Sequence, residues 1–182
     1  MEQAEYVLSI LVENIPGVLG QVANLFSQRG YNIDSIASGP TEDPEVTRIT
    51  IVLRGDEAII KQISAQLFKR VCVISVKSLL ADSSVQRESV LVKVQADTKE
   101  KKDTVIQISN IFRVSIVDIS LKTLTLAVLG NRKKVDALLE LLTDFNILEI
   151  VRSGAIAIER GTGTIYDGSK EDFEFNYGKS LL

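Results

Sequence analysis

The chain has 182 residues, 45% hydrophobic and 25% charged, with 21 Lys+Arg against 24 Asp+Glu for a formal net charge of −3. That length accommodates one large or two small domains, and the composition excludes wholesale disorder. The near-neutral balance argues against nucleic-acid binding, which calls for a basic patch and a positive sum. Histidine is absent, which removes the commonest general base, the commonest zinc ligand and every Ser-His or Cys-His nucleophile pair. The single cysteine, Cys72, closes neither an intramolecular disulfide nor a CxxC site, as expected in a reducing compartment. Apolar runs are too short to span a bilayer, and the opening Met1, Glu2, Gln3, Ala4, Glu5 lacks a basic n-region, so no membrane and a cytoplasmic location are expected. Catalysis becomes a poor prospect and binding a better one.

Residues 6–13, YVLSILVE, read as a buried strand. Asn14, Ile15, Pro16 and Gly17 interrupt it, and Val18, Val22, Leu25 and Phe26 then recur at helical spacing up to a capping Gly30. Residues 31–38 and 46–53 alternate as strands around the turn chemistry of residues 39–44, GPTEDP. Gly55 and Asp56 break the chain and cap a helix carrying Ile59, Ile60, Ile63 and Leu67, and residues 71–76 form the next strand.

The same order then repeats. Residues 89–96 read as a strand, Val105, Ile108, Ile111 and Phe112 mark a helix, and residues 114–121 and 124–129 form two strands. Asn131 caps a helix with Val135, Leu138, Leu139 and Leu142, and residues 147–151 close the unit. Gly55 and Gly130 occupy equivalent strand-to-helix junctions about 75 residues apart, well above solenoid periods. The expected organisation is α+β with domains at 1–80 and 89–160, a linker at 81–88 and a flexible tail at 161–182. The tail's Tyr166, Phe173, Phe175 and Tyr177 among acidic residues also allow an aromatic docking segment. One apolar stripe per helix covers one sheet face, the other face remains to be covered, and a side-by-side or face-to-face dimer is expected.

Chemistry concentrates at the turn Asn14 to Leu19. A helix start leaves backbone N–H groups without internal partners and carries partial positive charge, which suits a carboxylate or phosphate. Gly17 lets a ligand approach the backbone, and Asn14 either caps the helix or turns its amide to a ligand. Asn32, past the far end of the same helix, opens the second strand and joins this turn only if a two-fold axis brings two chains together. Gly161, Thr162, Gly163 lacks the lysine and following helix of a phosphate loop. Lys99 to Asp103 reads as a solvated helix face, and Cys72 as a small core residue. A strand-helix-strand-strand-helix-strand unit also serves RNA binding, yet residues 46–53 carry no aromatic on which a base could stack.

The run LVENIPGVLGQVANLFSQRGYNIDSIASGPTEDPEVTRITIVL (11–53), with VQRESVLVKV (85–94), IFRVSIVDIS (111–120) and EIVRSGAIAIERG (149–161), resembles the regulatory small subunit of acetohydroxyacid synthase, also called acetolactate synthase. The resemblance spans about residues 5–161. It implies two tandem ferredoxin-like βαββαβ domains, an N-terminal ACT domain and an ACT-like C-terminal one. It further implies a non-catalytic homodimer that activates a catalytic large subunit and confers feedback inhibition by valine or another branched-chain amino acid. Matched by position, the effector is held by Asn14, Gly17, Val18 and Leu19 of one chain and by Asn32 and Ile33 of its neighbour. Thiamine diphosphate, Mg and FAD are expected on the catalytic partner and no cofactor on this chain, and a plastid stroma is the alternative compartment if the gene is organellar. Tyr6, Ser38 and Val114 depart from the family pattern, and Ser38 bears on the wall of the effector site. Two other readings are an ACT-type sensor of a different metabolic enzyme and a small hydrolase using Arg and Asn, which the lack of histidine disfavours.

Overall fold

The structure, a computed structural model, describes residues 4–168. In chain order it contains β1 (Ala4–Glu13), α1 (Val18–Gln28), β2 (Ser35–Pro40), β3 (Val46–Gly55), α2 (Glu57–Phe68) and β4 (Val73–Leu79). The order then recurs as β5 (Ser84–Gln95), α3 (Lys99–Phe112), β6 (Ser115–Ile119), β7 (Thr123–Gly130), α4 (Arg132–Leu142) and β8 (Ile147–Glu159). Two four-stranded sheets result, ordered β2-β3-β1-β4 and β6-β7-β5-β8. The fold is therefore two βαββαβ repeats, as the sequence pattern requires.

In the first sheet, β1 pairs antiparallel with β3 in a register that sets Leu8 opposite Ile51 and Ile10 opposite Ile49. Because side chains alternate across a strand, Leu8, Ile10, Val12, Ile49, Ile51 and Leu53 all face one way. There they pack under Val22, Leu25 and Phe26 of α1 and Ile60, Ile63 and Leu67 of α2. Each such side chain contributes about 1.5–3 kcal/mol by leaving water. The second repeat builds the same core from Val90, Val92, Val94, Leu124, Leu126 and Val128 beneath Val105, Val135 and Leu138.

The repeated junctions behave alike. Asp56 accepts from the Ile59 amide at 2.8 Å and Asn131 from the Lys134 amide at 2.9 Å, each capping the helix that follows. The glycine before each cap is small for a packing reason. A Cβ on Gly55 would lie 3.3 Å from Ile59 Cγ2, and one on Gly130 would lie 3.0 Å from Lys134 Cδ.

The units do not divide where composition placed the boundaries. The first comprises the described residues up to Val85 together with those from Ala155 on, and the second is Gln86–Gly154. Residues 81–88, read as a linker, enter a strand at Ser84, and β8 continues eight residues past the expected end at Val151. The later part of β8 and the 3₁₀ turn Ile165–Gly168 cross the first sheet's second face. That face carries Val7, Val52 and Leu79, buried with Ala157. It also carries polar groups that hold the crossing backbone. Arg48 Nη2 donates to the Ala157 carbonyl at 2.8 Å, Ser75 Oγ to the Ile165 carbonyl at 2.6 Å, and Lys77 Nζ to the Thr164 carbonyl at 2.9 Å. Lys77 is also ion-paired with Glu159, and the Ala155 amide donates to Ser35 Oγ. The second face, left to be covered in the sequence reading, is thus covered at these residues by the chain's own later segment, which leaves the side-by-side form of the expected dimer unaffected. Residues 161–168, read as the start of a flexible tail, include the buried Ile165. Phe173, Phe175 and Tyr177 lie outside the described residues.

Two strand ends also differ. The second strand begins at Ser35, not Tyr31, because the Tyr31 amide still bonds back to the Phe26 carbonyl at 3.0 Å and completes the exit from α1. The fourth begins at Val73, not Val71, since the Val73 amide closes a turn onto the Arg70 carbonyl.

Candidate functional site

β1 ends at Glu13, and α1 begins five residues later at Val18. Gly17 is the residue before the helix, at φ 82°, and provides no side-chain cap. A left-handed backbone of this kind costs any residue with a Cβ about 1–2 kcal/mol, which is why glycine stands here. Nothing lies within 4 Å of where its Cβ would be, so the turn is open above it. The Val18 amide reaches the Ile15 carbonyl at 3.3 Å. Leu19 and Gly20, in the first helical turn, have no residue four positions back inside the helix to accept their amides. The positive end of α1 therefore opens at an exposed glycine turn rimmed by Ile15 and Leu19, 43% and 42% exposed.

Asn14 is not the helix cap that the sequence allowed. Its side-chain amide donates to the Pro44 carbonyl at 2.9 Å, and its backbone amide donates to the Glu45 carbonyl at 2.7 Å. Both bonds tie the turn to the β2–β3 connection. One hydrogen of the side-chain NH2 is used in this way, and Asn has a second plus an acceptor oxygen.

Asn32 lies between α1 and β2, exposed, and donates to Asp34 Oδ1 at 3.3 Å. It does not open a strand. Ile33 beside it packs on the first core. These two sit at one end of α1 and the glycine turn at the other, so the 11-residue helix separates the two halves of the expected site by roughly 16 Å. Within one chain the structure does not bring Asn14, Gly17, Val18 and Leu19 together with Asn32 and Ile33. β2 is an edge strand of its sheet, with Ile36 37% exposed on the face turned toward the helices, opposite Ile51. Ser38 lies on that same face, opposite Ile49.

A further group escaped sequence reading. Tyr166 Oη donates to Glu42 in the β2–β3 connection. This bond holds the Glu42 carboxyl below its ordinary value and raises the Tyr166 phenol. Arg48, half-buried on β3, donates through Nε to Ser9 Oγ at 2.8 Å. Burial pushes its guanidinium down, while the fields of Tyr166 and Glu42 oppose that. The one signal available beforehand was the aromatic among acidic residues at Tyr166.

Two sheets, each carrying two helices on one face, and an open glycine turn at the first helix place the chain among tandem ACT-type proteins. Comparison with known proteins gives the same class and narrows it. Residues 8–75 match the AHAS small subunit-like ACT domain, and residues 87–161 match the small subunit of acetolactate synthase. A Methanothermobacter thermautotrophicus protein named "Probable acetolactate synthase small subunit" is 45% identical over 165 residues, covering 91% of this chain and 98% of that protein. The acetolactate synthase small subunit of Mycobacterium leprae is 43% identical over 156 residues, covering 86% and 92%. The crystal structure of the Thermotoga maritima acetolactate synthase small subunit superimposes with a TM-score of 0.81 at 40% identity, covering 88% of this chain and 99% of that one. The chain belongs to the acetolactate synthase small-subunit family.

Proposed function

We propose that the protein is a non-catalytic regulatory subunit that raises the activity of an acetolactate synthase catalytic subunit and makes it sensitive to a branched-chain amino acid. The observation that carries this reading is the glycine turn at Gly17, where a φ of 82° opens the start of α1 without a capping side chain. An α-carboxylate placed there takes charge-assisted bonds of about 1.5–3 kcal/mol each from backbone amides. Asn14, Gly17, Val18 and Leu19 form this half of the site. Asn32 and Ile33 of a second chain form the other half, brought across a two-fold axis at the free edge of β2. The separation of the two halves along α1 supports a homodimer, because a single chain cannot close on so small a ligand.

In this reading the effector's side chain meets Ile15 and Leu19 at the rim. A methylene in an apolar site is worth about 1–3 kcal/mol, so valine, leucine and isoleucine are graded by affinity and not absolutely separated. Feedback needs a coupling of only about 1–3 kcal/mol between this site and the catalytic subunit. Thiamine diphosphate, Mg and FAD belong to that partner. Calorimetric titration of the isolated protein with the three amino acids tests the site directly, and co-purification with the catalytic subunit tests the partner. Amino-acid binding without that partnership would instead indicate a sensor of a different enzyme.

A further inference from the structure

The β2–β3 connection is knotted within itself. Thr41 Oγ1 accepts from the Asp43 amide at 3.1 Å, Asp43 Oδ1 accepts from the Glu45 amide at 2.9 Å, and the Val46 amide closes onto the Asp43 carbonyl at 3.0 Å. These bonds tie residues 41–46 to one another. One side of the knot holds Asn14 by two bonds, through the carbonyls of Pro44 and Glu45. Its other side is held by Tyr166, which donates to Glu42 from the far end of the described chain.

Tyr166 does not reach Glu42 by chance rotation. Its neighbour Ile165 is buried, the Ile165 carbonyl is fixed by Ser75 Oγ, and the Thr164 carbonyl is fixed by Lys77 Nζ. The ordering cost of the tyrosine–glutamate bond is therefore met largely by the packing of the segment that carries it. The same bond between two free surface side chains would gain little.

We infer that Tyr166 is a positioning residue for the Asn14–Leu19 turn: by holding Glu42 it steadies the 41–46 knot from which Asn14 hangs. The inference rests on the proposed effector reading for its consequence, though not for its geometry. A steadier Asn14 leaves less backbone freedom to be lost when an amino acid is gripped at Gly17. The C-terminal crossing segment thereby becomes part of the ligand site's support without touching the ligand.

The test uses the full chain and the variants Tyr166→Phe, Glu42→Ala and Glu42→Gln. Amide hydrogen exchange at Asn14 is read by NMR without ligand, and valine affinity by calorimetry. Tyr166→Phe and Glu42→Ala are expected to speed Asn14 exchange and to weaken valine roughly two- to tenfold. Glu42→Gln, which keeps an acceptor oxygen, is expected to restore most of both, a rescue that a general loss of packing would not give. Asn14 exchange in Tyr166→Phe matching the wild type overturns the inference. So does an unchanged valine affinity in that variant. If the wild type binds none of the three amino acids the effector reading fails, and the exchange data then decide the positioning role alone.

Discussion

The side-chain amide of Asn14 and the carbonyl of Pro44, 30 residues apart in the chain, are joined by a hydrogen bond of 2.9 Å. The residue that sequence reading allowed as a helix cap is instead a tie between the β1–α1 turn and the β2–β3 connection. Its replacement by aspartate removes the donors and adds a negative charge where the proposed effector places its carboxylate. Valine affinity in Asn14→Asp is expected to fall about tenfold or more, since a lost bond to a charged group is worth about 1.5–3 kcal/mol. Calorimetry giving equal affinities for variant and parent would count against the site.

Gly17 separates backbone strain from charge. Alanine at φ 82° meets no atom within 4 Å, so Gly17→Ala loses about 1–2 kcal/mol of stability and keeps the turn open. Aspartate at this position projects a carboxylate into the space proposed for the effector's own. In the reconstituted enzyme, valine inhibition is expected to vanish in Gly17→Asp and to persist in Gly17→Ala. Equal inhibition across the parent and both variants rules the turn out.

The crossing segment of the first unit is anchored by Ile165, 7% exposed, and by Ser75. Truncating the isoleucine in Ile165→Ala is expected to cost about 2 kcal/mol, the low end for such a change because the residue sits at a segment near the surface. Local opening should exceed global loss. Limited proteolysis is the sensitive measurement, with faster cleavage within residues 155–168 than in the parent and unchanged cleavage within 89–150.

The Tyr166–Glu42 bond holds within a pH window. Glu42 is depressed below its ordinary 4.5 by the Tyr166 hydroxyl. Its contribution is therefore complete above that value and is lost as pH falls through the lower folded value. Tyr166 is raised above its ordinary 10.0 by the same bond. Its contribution is complete below that value and is lost as pH rises through the higher folded one. Tyr166 ring resonances should stay constant between roughly pH 4.5 and 10 and move outside those limits. In Glu42→Gln the acid-side change disappears.

The caps offer a control remote from any ligand. Asp56→Ala and Asn131→Ala each remove an acceptor for an amide three residues on and are expected to cost about 1 kcal/mol in urea unfolding. The first is expected to leave Asn14 exchange unchanged.

Much of this protein was legible in its residues because the deciding forces act over a few positions. Val18, Val22, Leu25 and Phe26 set a helix by spacing alone, and Asp56 and Asn131 mark helix starts by a bond three residues long. The repetition of Gly55 at Gly130 shows two copies of one unit. That Gly17 lets a ligand approach the backbone follows from the same short-range logic. The end of the second strand's approach was harder to place, because Tyr31 and Ile33 are apolar enough to read as strand while the Tyr31 amide is spent closing α1.

Composition could not show where residues 155–168 go. Nothing local in Ala157, Thr164 or Ile165 names Arg48, Lys77 or Ser75 as partners. The sequence by itself determined two βαββαβ units and a glycine turn between β1 and α1, since turns, caps and apolar periods are written within a few residues of where they act. Only the tertiary structure decided that Asn14 hangs from Pro44, that Tyr166 holds Glu42, and that the chain covers part of its own first sheet. Those contacts join residues 30 to 124 positions apart, and their partners are selected by burial and geometry that exist only after the sheets have formed.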